Sequence, residues 1–330
     1  MRAKIAEISK SAPKISQTFW RIFSGAEGSC IRFKTCNEGP IKVSAFDAWQ
    51  STGQPLLAGQ SWDMLSITGA KCQRYDCLQC IDNGDFLIGI AQLPVTAANL
   101  EEQSRRIYRA IFKTTSSRFL YRIWNFVPRI NREEQGMIEN YKLFCSGRAQ
   151  AFSDYYDHAE SSHFPSASAT GCDSDDLTVV FLAGAVGATH WENPEQIPAY
   201  KYPEKYGPRS PAFARGSRFI DTKGGEWILV AGTAAIKGSE TLYPGDFSRQ
   251  LPVVIENMEI VLKQVGVNLA AEKNRRSHFK FFLRHAKNLN ALQTVIRGIL
   301  GPMDTYSIVR ADICRADLEV EVELTIYPLS

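Results

Sequence analysis

The residues best suited to chemistry lie near the C-terminus, where three carboxylates follow a thiol. Glu319, Glu321 and Glu323 alternate with Val320, Val322 and Leu324. A half-buried strand over Leu318 to Tyr327 would put the three acids on one face. A solvated acidic face is ordinary in an antiparallel sheet. If one Glu instead points into an apolar pocket, desolvation raises its pKa and suits it to act as a general acid. Alternation alone does not choose which one. Cys314 stands seven residues before Glu321, across a turn at Arg315-Ala-Asp317.

Two further places could hold an anion. The segment Asn193 to Arg215 interleaves Tyr200, Tyr202, Tyr206, Arg209 and Arg215 with prolines, which reduce the entropy a loop loses on ordering. Most such loops simply pack over a junction. The functional alternative is an aromatic-walled site in which arginine forks pair with carboxylates. Tyr and Arg also suit single-stranded nucleic acid, but 38 Lys+Arg stand against 35 Asp+Glu, a net charge of +3. That balance excludes a general polyanion binder and favours a small anion. In Phe144-Cys-Ser-Gly-Arg148, Gly147 would let a ligand approach the backbone beside a cation. The plainer reading is a surface arginine on a helix.

Other chemistries find less support. Cys72, Cys77 and Cys80 have the C-x4-C-x2-C spacing that opens a plant-type iron–sulfur signature, but that reading needs a fourth thiolate and a tight loop, and the residues between them are mostly bulky. Free thiols are the better reading. There are no paired CxxC motifs, HExxH, GxSxG, P-loop or GxGxxG, so neither metal nor cofactor is expected. No apolar run approaches the roughly 20 residues of a membrane helix. Met1 to Gln17 lacks a signal-peptide core. A cytoplasmic protein with neither a membrane nor a nucleic-acid partner is expected.

The elements that must position these residues follow from hydrophobic period. The 330 residues suggest two domains. The first half reads as strand Phe86–Ile90, helix Leu100–Phe112, strand Phe119–Phe126, helix Gly136–Phe152 and strand Leu177–Leu182. In that second helix, Ile138, Tyr141, Phe144 and Cys145 are expected to point inward. The second half reads as strand Trp227–Val230, helix Gln250–Val265 with Pro252 in its first turn, strand Phe279–Leu283, helix Leu289–Leu300 and the terminal strand. The repeated β-α-β-α-β order implies a duplicated α/β unit. Its expected division is an N-terminal domain over 1–187 with the first 80 residues unassigned, a Pro/Tyr/Arg-rich connection over 188–215 and a C-terminal domain over 216–330.

Several motifs carry a family resemblance. Ala231-Gly-Thr-Ala-Ala-Ile236, a helix with Glu256 and Asn257, and Val320-Glu-Val-Glu323 resemble the YjgF-type (Rid) fold, implying two tandem Rid-like α+β units around a pseudo-symmetric core. From about residue 80 onward the chain resembles the chorismatases. The motifs are Tyr121-Arg-Ile-Trp-Asn125, Phe144-Cys-Ser-Gly-Arg148, Tyr206-Gly-Pro-Arg-Ser-Pro-Ala-Phe-Ala-Arg215 and Cys314-Arg-Ala-Asp-Leu-Glu-Val-Glu321. Chorismatases remove the enolpyruvyl group of chorismate as pyruvate. The resemblance implies that Glu321 protonates the enol-ether methylene and that Cys314 marks the 3-hydroxybenzoate-forming subgroup, which has Cys where hydrolysing members have Ala. A related subgroup makes 4-hydroxybenzoate as well. The region of Ala231 varies between subgroups. Chorismate is a dianion, so Arg148, Arg209 and Arg215 are expected to bind it, with Tyr202, Tyr206 and Ala231 lining the pocket. Tyr306 stands where Rid deaminases have their substrate-binding arginine, which argues against imine hydrolysis. The alternatives are a hydrolytic chorismatase giving a dihydroxycyclohexadiene carboxylate, and a non-catalytic Rid-like ligand-binding module. Rid proteins are trimers; two such units in one chain are compatible with a monomer.

Overall fold

The computed structural model describes residues 71–133, 138–156, 161–269 and 276–328, together with Gln54 and four short strands before them. Those strands are β1 (Ile31–Lys34), β2 (Ala48–Ser51), β3 (Leu56–Gly59) and β4 (Trp62–Asp63).

Two larger sheets dominate. The first contains β5 (Lys71–Tyr75), β6 (Leu78–Asp82), β7 (Phe86–Pro94), β8 (Phe119–Pro128), β9 (Ser166–Cys172) and β10 (Asp176–Gly184). Helix α1 (Leu100–Thr114) joins β7 to β8, and α2 (Asn140–Tyr155) lies between β8 and β9. The second contains β11 (Thr189–Trp191), β12 (Gly216–Ile220) and β13 (Glu226–Ala234), then, beyond the small hairpin β14 (Ile236–Lys237) and β15 (Glu240–Thr241), helix α3 (Phe247–Lys263), β16 (Arg276–Leu283), α4 (Leu289–Ile299), β17 (Thr305–Arg310) and β18 (Val320–Tyr327). The spatial orders are β5-β6-β7-β10-β8-β9 and β11-β12-β13-β18-β16-β17, the latter extended by β3 at its edge. Counted within each sheet, both read first, second, third, sixth, fourth, fifth. In each, the fourth and fifth strands form the parallel pair. The duplication is therefore a repeat of topology, with the terminal strand of each unit inserted at the centre.

The sheets pack face to face with helices outside. Ile107, Ile111 and Phe112 of α1 and Phe144 and Phe152 of α2 cover Val179 and Phe181 of the first sheet. Val254, Met258 and Val261 of α3 with Leu292 and Ile296 of α4 cover Phe279, Phe281, Val320 and Val322 of the second. Between the sheets lie Ile88, Ile90, Val180, Leu182, Phe219 and Leu229, with the Tyr121 ring stacked 3.8 Å from that of Phe219. Among the described residues no helix is long and apolar enough to cross a membrane.

Several expectations shift. β18 is buried on both faces, not half-buried: Glu319, Glu321 and Glu323 are 6%, 4% and 5% exposed. The reason is its place between β13 and β16, under the other sheet. Helix α2 begins at Asn140, and Ile138 is exposed while Tyr141, Phe144 and Cys145 turn inward. Gly136 lies outside the described residues. Asp246 caps α3 earlier than expected by accepting the Arg249 N–H at 3.1 Å, so Pro252 falls in the second turn. Thr189–Trp191, within the presumed connection, is an edge strand of the second sheet. Cys80 is packed in the first core and Cys77 is a half-buried free thiol.

Gly147 serves packing and not ligand approach. A Cβ there would lie 2.0 Å from the Glu101 carbonyl oxygen, so its bare backbone lets α2 press against α1. Gly147→Ala is expected to destabilise the fold by about 1–3 kcal/mol through overpacking. Chemical denaturation checks this; an unchanged midpoint would contradict the packing role.

Candidate active site

A cavity enclosing about 680 Å³ of non-atom space, mouth included, lies where α2, β9, β13, β18 and the 202–215 loop converge. Glu321 projects into it from β18, opposite Ala234 on one neighbouring strand and Phe282 on the other. A register shift between Val230 and Thr233 of β13 brings Gly232 to face it. A Cβ on Gly232 would sit 2.2 Å from Glu321 Oε1, so glycine is what leaves room for the carboxyl. Asn257, from the Rid-like motif, holds the end of β13 by donating to the carbonyls of Ala234 (2.9 Å) and Ile236 (3.0 Å).

Glu321 Oε1 has no hydrogen-bond partner among the described residues. Burial, reinforced by the charge of Glu323 and opposed by Arg122 and Arg215, pushes its pKa up to about 8. It therefore holds a proton at neutral pH. Cys314, half-buried on the cavity wall, is pushed up to about 12 by burial and then by Glu321, so its thiol stays neutral. A neutral thiol offers bulk to the wall and not a nucleophile.

Three guanidiniums line the same space. Arg148, 1% exposed, comes from α2 and lies 5.0 Å from the Phe144 ring. No carboxylate lies within ion-pair distance of it among the described residues, and its Nε is unpartnered. Arg215 donates to the Tyr202 hydroxyl at 2.8 Å, while its Nε, also unpartnered, lies 4.0 Å from Glu192. Burial, opposed by Arg215, pushes Glu192 up to about 7. Arg315 stacks 3.9 Å from the Tyr206 ring and donates to the Ser239 carbonyl at 2.8 Å, leaving Nη2 unpartnered. Buried donors without partners are costly, and an oxyanion would satisfy them. Three cations beside one protonated Glu suit a compact dianion.

Of the expected residues, Glu321, Cys314, Arg148, Tyr202, Tyr206 and Arg215 meet at this cavity. Two do not. Arg209, past the turn at Gly207, is exposed and outside the lining. Ala231 faces away from the cavity, its N–H donating to the Arg215 carbonyl, and the bulge gives its place to Gly232. Arg315, Tyr141 and Ser168 were missed as site residues. Arg315 had a readable signal, a cation next to Cys314. Tyr141 carried only the signal of an inward helix position.

The comparisons with known proteins agree on one family. Residues 63–183 match the family model described as chorismatase FkbO/Hyg5-like, N-terminal. Over 256 residues the chain is 34% identical to a 3-hydroxybenzoate synthase of Streptomyces hygroscopicus, covering 73% of this chain and 74% of that one. The chain belongs to the chorismatase family. A chorismatase of Streptomyces rapamycinicus is 31% identical over 252 residues, 72% of this chain and 74% of that one. The crystal structure of a chorismatase at 1.08 Å aligns with a TM-score of 0.74 at 25% identity, covering 89% of this chain and 91% of that one. The duplicated α+β architecture is thus that of a chorismatase-family enzyme.

The buried acid has a thermodynamic signature. Glu321 binds its proton more tightly folded than unfolded, so its contribution to stability is complete below about 4.5 and is lost as pH rises through about 8. The unfolding free energy of this chorismatase-family chain minus that of Glu321→Gln is expected to fall across that window. A difference that stays flat would mean that the carboxyl is already ionised in the fold.

Proposed function

We propose that this enzyme converts chorismate to pyruvate and 3-hydroxybenzoate, with 4-hydroxybenzoate as a further product. The observation that carries the reading is Glu321: an unpartnered, protonated carboxyl facing a cavity with three arginines. Arg148, Arg215 and Arg315 would pair with the two carboxylates of the substrate. Tyr202 and Tyr206, their rings 5.6 Å apart, would orient the guanidiniums and wall the ring. Glu321 would then protonate the enol-ether methylene, generating an oxocarbenium-like centre. Attack of the C4 hydroxyl on that centre, followed by cleavage of the C4–O bond, would give pyruvate the C4 oxygen and leave the C3 oxygen on the ring as 3-hydroxybenzoate once the C3 proton is lost. Direct cleavage of the C3–O bond would instead carry the ether oxygen off in pyruvate and leave 4-hydroxybenzoate once the C4 proton is lost. The Glu321 carboxylate so formed accepts a proton back as the ring aromatises.

Chorismate contains all the atoms of one pyruvate and one hydroxybenzoate, so this conversion takes up no water and needs no oxidant. The dihydrodiol requires one water. Relatives named chorismatase lend support to that hydrolytic reading. Cys314 weighs against it, because its side chain lines the wall close enough to Glu321 to feel its charge and crowds the space a water would need. The cavity draws Arg148 and Ser168 from the first unit and Glu321 and Cys314 from the second, which supports a monomeric enzyme.

Glu321→Gln is expected to lower pyruvate release, followed through lactate dehydrogenase, by at least about 100-fold while the protein stays folded. Turnover near that of the parent enzyme would sink the acid role. Cys314→Ala is expected to raise the dihydrodiol share of the product at the expense of hydroxybenzoate, read by chromatography. An unchanged product spectrum would remove Cys314 from product control.

A further inference from the structure

The motif Tyr121-Arg-Ile-Trp-Asn125 contributes none of its side chains to the cavity wall, yet it spans the sheet interface behind Glu321. Arg122 of β8 is 1% exposed, and its Nη2 lies 2.9 Å from Glu323 Oε1. The same Nη2 donates to Ser168 Oγ at 3.1 Å, beside the cavity. Trp124 Nε1 donates to Glu323 Oε2 at 3.1 Å, and the Arg122 guanidinium rests 5.2 Å from the Trp124 ring. Asn125 fixes the strand by donating to the Ser168 carbonyl at 2.7 Å and accepting from the Tyr108 hydroxyl at 2.9 Å. Glu323 is thus gripped at both oxygens by the other unit, two residues from Glu321 on the same face of β18.

An ion pair buried between two sheets rarely earns its place by stability alone, since apolar residues of like volume often do as well. Here its position matters. Arg122 is near enough to Glu321 to draw it towards the ionised form, and Glu323 neutralises that cation while adding a like charge.

We propose that Glu323, clamped by Arg122 and Trp124, is a positioning residue that governs when Glu321 holds its proton. This rests on Glu321 being the acid. The other charged or titratable groups that share the cavity with Glu321 are Tyr141 and Arg148 of α2, Tyr202, Tyr206 and Arg215 of the 202–215 loop, and Cys314 and Arg315 of the turn before β18; Arg215 and Cys314 couple to it directly. Lys280 of β16 stands in register with Glu323, its Nζ 5.4 Å from the Phe126 ring and 5.2 Å from that of Phe282. None of these is altered by the substitutions below.

The test is a pH titration of side-chain carboxyl carbons in protein labelled with ¹³C-glutamate, with Glu321→Gln assigning the signal, alongside the pH profile of pyruvate release. Glu323→Gln removes the like charge and leaves Arg122 uncompensated, so the Glu321 titration is expected to move down by about one unit or more. The alkaline limb of kcat should follow, with KM changing less. Arg122→Gln should move the titration up. Glu323→Asp, which keeps the charge, should restore a titration near that of the parent. Opposite shifts from Glu323→Gln and Arg122→Gln support the proposal, because a merely structural pair would lower stability without them. If Glu323→Gln does not fold, the upward shift in Arg122→Gln decides. A Glu321 titration unmoved by either variant overturns the proposal. Titrations that shift without any pyruvate release would instead overturn the chorismate reading and leave the electrostatic coupling standing.

Discussion

The structure turns on one constraint: a carboxyl must be buried deeply enough to stay protonated yet remain open to a ligand. A lone Glu inside a protein loses its hydration and cannot easily ionise, and that penalty is what gives Glu321 an acid's character near neutral pH. Two sheets packed face to face provide the depth. The central place of β18 means that residues on either of its faces leave water. The bare backbone of Gly232 provides the remaining room on the cavity side.

Duplication explains why the site is asymmetric. Each unit inserts its last strand between its third and fourth, so β10 and β18 occupy equivalent places. The inward face of β10 carries Val180 and Leu182, which pack in the apolar interface, whereas that of β18 carries Glu321 and Glu323. The first unit has kept the architecture and contributes cations instead: Arg148 on α2 and Arg122 on β8. Either unit alone would expose this face, and the other unit closes it. The cavity therefore belongs to neither half alone, and the Arg122–Glu323 ion pair spans the interface behind it.

Much of this was legible because hydrophobic period reports the elements faithfully. The helix expected over Leu100 to Phe112, which runs on to Thr114, and the repeated strand–helix order followed from residue spacing. Alternation put Glu319, Glu321 and Glu323 on one face but could not say that the face was buried, since that depends on a sheet contributed from more than a hundred residues away. For the same reason Arg209 was chosen over Arg315: both lie within a motif, but only Arg315 turns inward. Gly147 and Gly232 show the limit most clearly. Gly147 looks like a gap for a ligand in sequence yet admits a neighbouring helix, whereas Gly232, which sequence did not single out, leaves room for the Glu321 carboxyl. The single-residue displacement from Ala231 to Gly232 follows from a strand irregularity that no periodicity encodes.

The most direct test of the account is a structure of the Glu321→Gln variant with chorismate bound. The account requires the enol-ether methylene carbon to lie about 3–3.5 Å from the side chain of residue 321, a near-attack distance, with the two carboxylates on Arg148, Arg215 and Arg315. A pose that turns a substrate carboxylate towards residue 321 and carries the methylene away from it would contradict protonation by Glu321.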